Sequence, residues 1–282
     1  MHKTVKKSLA ILLAIILLIF TLFIAFNWRG AINIAKEKIS LMQECVPVLA
    51  FHGFAPAETK NQLFADNKWI DDIEGFEQQM QYLYDNGWTT LTADEFYAWH
   101  SGEIEIPKKS CLLTFDDGYY EMYYTILPIL QKYDFNATCF IVGSYTPDLT
   151  ASYNPKIRNM IGWDKIQDIK SIDANIQFES HSYNLHGYDS DGNEPWSSAT
   201  REQLENDFNM NSVYDFKYMA YPYGGYNDLM LDAIKQSNIK MAFTFKQSGY
   251  ATKHSPIYEI PRQKVTSETS YEDFIRILEK TL

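Results

Sequence analysis

The chain has 282 residues, with 36 acidic against 25 basic side chains and a formal net charge of −11. It is long enough to bury a large core and too acidic to have nucleic acid as its partner. Three cysteines bound little: Cys111 and Cys139 fall inside apolar runs and read as buried small residues rather than a disulfide, with Cys45 left over near the linker.

From the amino terminus, Met1 to Lys7 carries Lys3, Lys6 and Lys7, and Leu9 to Phe26 is apolar but for Thr21. That length is close to the roughly 20 residues that cross a bilayer. Basic residues ahead of it place the terminus in the cytoplasm and the rest outside. The resulting division is a cytoplasmic tail over 1–8, a transmembrane signal anchor over 9–27, a linker over 28–44 and one large domain over 45–282. The rival reading is a cleaved signal peptide, whose apolar region is usually about 7 to 15 residues and ends in small residues. This run is longer and continues into Phe26-Asn27-Trp28-Arg29. Under either reading the domain leaves the cytosol, to stay on the cell membrane or to be secreted.

Within the domain, strand-like runs occur at Val46 to Phe51, Ser110 to Phe115, Ala137 to Val142, Asn175 to Glu179, Tyr218 to Tyr221, Lys240 to Phe245 and Ile257 to Pro261. They alternate with helix-like segments, two of which open with capping-box patterns, Thr92 to Glu95 and Thr200 to Gln203. Such alternation is that of βα units in an α/β fold. Gly187 to Ser198 is polar and reads as a long surface loop.

Two stretches carry chemistry. The apolar run Cys111 to Phe115 ends abruptly in Asp116-Asp117-Gly118-Tyr119. Adjacent carboxylates at a strand end repel unless a cation or a base offsets the charge, although Asp-Gly is also a common turn. The second stretch, Glu179 to His186, brings His181 and His186 behind a strand-like run. Two imidazoles and one carboxylate make a three-ligand zinc set with a position left for water.

These segments, with Tyr221-Pro222-Tyr223-Gly224, resemble the three main motifs of the NodB-homology polysaccharide deacetylases. Adding Pro47 to Gly53, which contains Phe51-His52-Gly53, the order is most similar to the circularly permuted branch that deacetylates poly-β-1,6-N-acetylglucosamine. The resemblance spans about Val46 to Val265. It implies a distorted (β/α) barrel of about seven strands, and removal of N-acetyl groups from N-acetylglucosamine residues of an extracellular polysaccharide. It also implies one divalent ion, zinc by default, on Asp117, His181 and His186. An acidic surface suits a glucosamine polymer that turns cationic as acetyl groups leave. Other readings of the same motifs are a peptidoglycan or chitooligosaccharide deacetylase, a sugar O-acetyl esterase, or a saccharide-binding protein without turnover.

The resemblance also distributes roles. Asp116 would be the general base, and Tyr119 would offer its backbone N–H to the oxyanion. Tyr221, Pro222, Tyr223 and Gly224 would line the groove and acetyl pocket. The proton donor is His52 in the permuted branch, whereas unpermuted members would point to His254. Where many members carry an arginine that orients the base, this chain has Lys217; Arg262 either supplies that guanidinium or makes a surface ion pair. Trp69, Trp88, Trp99, Trp163 and Trp196 include candidate sugar platforms, against the commoner core role of an isolated tryptophan; Trp163 and Trp196, nearest to loops and to the metal motif in sequence, are the first candidates.

Overall fold

The structure is a computed structural model, and residues 44–281 are described apart from 173, 174, 189, 191 and 248. The tail, the membrane anchor and nearly all of the linker therefore lie outside the described residues. Among those described, no helix is long and apolar enough to cross a membrane.

Eight parallel strands form the frame: Val48–Phe51 (β1), Ser110–Phe115 (β2), Ala137–Ile141 (β3), Ile176–Ser180 (β4), Tyr218–Ala220 (β5), Met241–Thr244 (β6), Ile260–Pro261 (β7) and Gln263–Lys264 (β8). Their order is β7-β6-β5-β4-β3-β2-β1-β8, with Thr89–Thr90 added beside β2. The two end strands are halves of one run. Ile260 pairs with Phe243 of β6, and Gln263 pairs with Leu49 of β1. Between them the Arg262 N–H reaches back to the Thr244 carbonyl at 3.1 Å, and the Val265 N–H then bonds Ala50 at 3.0 Å. The sheet is thus a nearly closed barrel with Arg262 at its seam. Seven expected runs become eight strands because the last one serves both edges.

The expected strand from Val46 is broken at Pro47, whose nitrogen has no hydrogen for the ladder. Cys45–Val46 instead pairs antiparallel with Ala251–Thr252, at the amino-terminal side of β1. Period-two alternation then sorts the side chains. Val48, Leu112, Phe140, Ala220, Phe243 and Ile260, drawn from six strands, share one cluster that fills the barrel together with Phe96 and Trp99. Leu49, Phe51, Leu113 and Phe115 point the other way, against Phe76, Met80 and Leu83 of the helix Ile73–Asp85.

Both expected capping boxes form. Thr92 and Glu95 exchange bonds at the start of Ala93–His100. Thr200 and Gln203 do the same at 2.8 and 3.3 Å before Arg201–Val213. The stretch Gly187 to Ser198 is less open than its polarity suggests: it closes with one helical turn, Pro195–Ser198, that buries Trp196.

Candidate metal centre and cleft

Chemistry-bearing residues leave the barrel at one rim. His52 follows β1, Asp116 follows β2, His181 follows β4 and Tyr221 follows β5, each at the carboxyl end of its strand, as active sites of such barrels are built. Asp116 and Asp117 diverge because Asp117 takes a left-handed backbone at φ 72° and Gly118 continues it at φ 79°. A side chain at 118 is excluded twice, by that φ and because its Cβ would lie 2.8 Å from the Ile141 Cγ2.

The turn brings Asp117 Oδ1 to 3.2 Å from His186 Nε2 and 3.5 Å from His181 Nε2. His181 Nδ1 lies 2.8 Å from the Ala220 carbonyl, so that nitrogen holds the proton and Nε2 presents a lone pair. Burial pushes the His181 pKa down to about 4, which keeps the ring neutral. A lone pair facing a carboxylate oxygen at this distance is repulsive unless a cation lies between them. Asp117 Oδ1 is buried and accepts no well-aligned hydrogen bond among the described residues. Burial would raise its pKa, but the close His186 ring, then the charge that His52, His181 and His186 take up as they protonate on acidification, more than offset that and lower it. The three ligand atoms lie within 4.8 Å of one another, a donor set that fits a divalent ion such as zinc.

The loop between the histidines is held from several sides. Asp207, on the helix Arg201–Val213, accepts the N–H groups of Tyr183 at 2.9 Å and Asn184 at 2.7 Å. Ser182 Oγ accepts the Leu185 N–H at 3.0 Å. The His186 carbonyl accepts the Tyr145 hydroxyl at 3.0 Å, and its ring stacks on Tyr223 at 4.9 Å. Asp207 escaped the sequence reading, yet its signal was present. It lies at i+3 from Leu204 and beside Phe208, an acid on the apolar stripe of its helix.

Asp116 faces the barrel interior. Arg262 clasps both its oxygens, at 2.7 and 2.8 Å, and the guanidinium has no exposed surface. The ion pair is buried, so the surface salt bridge considered for Arg262 is set aside. Burial alone would raise the Asp116 carboxyl; Arg262, followed by His181 and His52, holds it below the usual carboxylate range. Lys217 lies elsewhere, 3.9 Å from Asp94. His52 Nε2 is 3.8 Å from Asp116 Oδ2, and its ring packs against Trp69 at 4.4 Å. Burial lowers the His52 pKa despite the two aspartates. Tyr119 bridges antiparallel to Met160, and the flanking bonds run from Tyr120 N–H to Asn159 and from Ile161 N–H to Gly118, which leaves the Tyr119 N–H out of the pair.

Over this rim lies a cleft of about 290 Å³, lined among others by His52, Asp117, His186 and Tyr223. Three further candidates sit elsewhere. Tyr221 is fully buried and packs on Tyr226, because the residue after β5 continues the strand's alternation on the Met219 side, away from the barrel interior that Ala220 faces. Trp163 stacks on Tyr214 at 4.4 Å, and Trp196 is buried with its ring in the space beside Gly225. Neither tryptophan lines the cleft, and Trp69 does. Pro222 and Gly224 are buried beneath Tyr223 and shape the turn that presents it. His254 is exposed in the turn after Ala251–Thr252, at the barrel's other end. Glu179 accepts the N–H groups of Lys217 and Tyr218 and stays away from the histidines.

The chain matches the family model described as polysaccharide deacetylase over residues 103–242. It is 26% identical over 256 residues to a poly-beta-1,6-N-acetyl-D-glucosamine N-deacetylase of Staphylococcus aureus, covering 86% of each chain. Among solved structures, its fold is similar to the Streptococcus pyogenes deacetylase PplD in complex with acetate, with a TM-score of 0.68 and 24% identity over 84% of this chain and 99% of that one. IcaB from Ammonifex degensii superposes with the same TM-score at 20% identity, covering 85% and 97%.

Proposed function

This chain belongs to the NodB-homology polysaccharide deacetylase family and is a polysaccharide N-deacetylase; on that premise we propose that it removes acetyl groups from β-1,6-linked N-acetylglucosamine in an extracellular polymer, with one zinc ion. The observation that carries the metal dependence is the meeting of Asp117, His181 and His186, where the His181 lone pair faces the carboxylate and a cation would offset the repulsion. The linkage is supported by the likeness to the staphylococcal enzyme across nearly the whole of both chains.

A divalent ion bound there supplies Lewis acidity, acidifying water and polarising the acetyl carbonyl. The chain's own groups do the rest. Asp116, kept ionised and oriented by Arg262, accepts the proton of the attacking water. The Tyr119 N–H points its dipole at the oxyanion that develops on the acetyl oxygen. Amide cleavage expels an amine that leaves only when protonated, and His52, with Nε2 beside Asp116, delivers that proton to the glucosamine nitrogen. Tyr223 and Trp69 offer ring faces to the sugars from the cleft walls. The amino-terminal segment supports an anchored domain outside the cell, since Lys3, Lys6 and Lys7 precede the apolar run from Leu9 to Phe26.

Acetate release should be assayed on β-1,6- and β-1,4-linked N-acetylglucosamine oligomers and on peptidoglycan, with chelator and after zinc addition. The expected outcome is release from the β-1,6 oligomer above the others, abolished by chelator and restored by zinc. Preference for the β-1,4 polymers would replace the substrate assignment. Chelator-resistant release would remove the metal dependence.

A further inference from the structure

The cleft departs in charge from the chain around it. Acidic residues outnumber basic ones in the sequence, yet the cleft's one lining acid is the metal ligand Asp117, while Arg158 and Lys264 both face it. Arg158 is delivered by the strap that bridges Tyr119 to Met160, with Tyr120 N–H to Asn159 at 3.0 Å and Ile161 N–H to Gly118 at 2.8 Å. Its guanidinium carbon lies 3.5 Å from the centre of the Tyr119 ring. On its other side is Gly53, directly after His52, where an added Cβ would fall 2.4 Å from Arg158 Nη2 and 2.8 Å from Cζ. The guanidinium therefore occupies the room that a side chain at position 53 would take.

Two of its donors, Nε and Nη2, are buried and meet no acceptor among the described residues. Leaving such donors unpaired is costly, the more so on a charged group. Elsewhere on the same cleft, Lys264 Nζ stands 4.7 Å over Phe245 and 5.7 Å over Trp69, and Lys68 Nζ is 5.7 Å from the same Trp69 ring. Lys68 has Glu268 at 3.6 Å in solvent; Lys264 has no carboxylate within ion-pair distance among the described residues. Burial, then the charges of Lys68 and Arg262, lower the Lys264 pKa.

We propose that Arg158 and Lys264 receive an oxyanion, a carboxylate or a phosphate, carried by the polysaccharide next to the N-acetylglucosamine unit that is deacetylated. The inference rests on the deacetylase reading above. A planar fork of N–H donors matches two oxygens of such a group, and the ammonium adds charge without direction. A neutral sugar hydroxyl satisfies one donor and brings no opposite charge.

The test uses the full-length, zinc-loaded protein and three oligosaccharides of equal length: neutral, with a carboxylate on the neighbouring sugar, and with a phosphodiester there. The expected wild-type result is a kcat/KM about 10- to 100-fold higher for at least one charged substrate, with the advantage shrinking as salt rises. Whichever charged substrate leads identifies the source of the oxyanion. Arg158→Gln should bring the charged-to-neutral ratio close to one, and the exposed Lys264→Gln, which carries little folding risk, should lower it partway. Equal wild-type rates on all three would overturn the inference and leave the deacetylase reading standing. So would an Arg158→Gln variant that loses the same factor on neutral and charged substrates, since the residue would then act only through Tyr119. Acetate from none of them would remove the deacetylase reading and this inference together.

Discussion

Two buried carboxylates, Glu179 and Asp117, show what separates an acid that holds a fold together from one built for a ligand. Glu179 lies inside β4 and takes the N–H groups of Lys217 and Tyr218 at 2.7 and 2.9 Å. Burial pushes its pKa up to about 7, against which those two bonds are only partial compensation. Asp117 is comparably enclosed, but one of its oxygens has no well-aligned donor among the described residues and it faces two imidazole nitrogens. Its pKa moves the opposite way. The first acid has its hydrogen-bonding needs met within the chain, whereas the second is left to be completed by a cation. The same burial produces opposite protonation behaviour because the neighbours differ in charge and in what they can donate.

The largest effect that would break this contrast comes from the histidines. His181→Ala/His186→Ala should lose the metal and lower acetate release by about a thousandfold or more. Full metal occupancy by atomic absorption in that double variant would sink the assignment. Next, Asp116→Asn should keep the metal and lower kcat by about 10²- to 10⁴-fold, whereas Asp117→Asn should lose the metal. Metal analysis showing the reverse pattern would exchange the two roles.

His52→Ala should retain the metal and lose about 10²-fold or more of amide turnover, with a smaller loss on aryl acetates, whose leaving groups need no proton. Equal losses on amide and aryl ester would make His52 structural. A smaller effect is expected at Asp207, where Asn offers one acceptor oxygen to two backbone N–H groups. Asp207→Asn should weaken metal affinity about 10-fold, with activity recovered at high zinc. Chelator competition showing unchanged affinity would mean that the loop holds its shape without this clasp.

Glu179→Gln should leave metal binding intact and change only the pH dependence of stability. The folded pKa, about 7, lies above the usual 4.5, so the folded state binds this proton more tightly than the unfolded chain. The stability it contributes is complete below about pH 4.5 and is lost as pH rises through about 7, a difference on the order of 3 kcal/mol. Urea unfolding from pH 4.5 to 7.5 should show this decline in the wild type and a flatter profile in the variant. Parallel profiles would show that Glu179 ionises without penalty.

Local pattern made much of this molecule legible. Alternating apolar runs located the strands, Thr92 and Thr200 marked helix starts, and Asp116, Asp117, His181 and His186 stood out because each directly ends or closely follows an apolar strand. Those signals are short-range, since strand period, capping and turn chemistry all act between residues a few positions apart. The partners of the site arise differently. Arg262 meets Asp116 across 146 positions because the last run closes the barrel seam. Asp207 clasps a loop 23 and 24 residues away. Trp69 came to the cleft in place of Trp163 and Trp196, since nearness in sequence does not fix which wall of a barrel rim a ring occupies. By itself the sequence determined which residues end strands and which chemistry they carry; only barrel closure and helix packing decided which of them meet, because those contacts depend on how distant elements pack and no local periodicity encodes them.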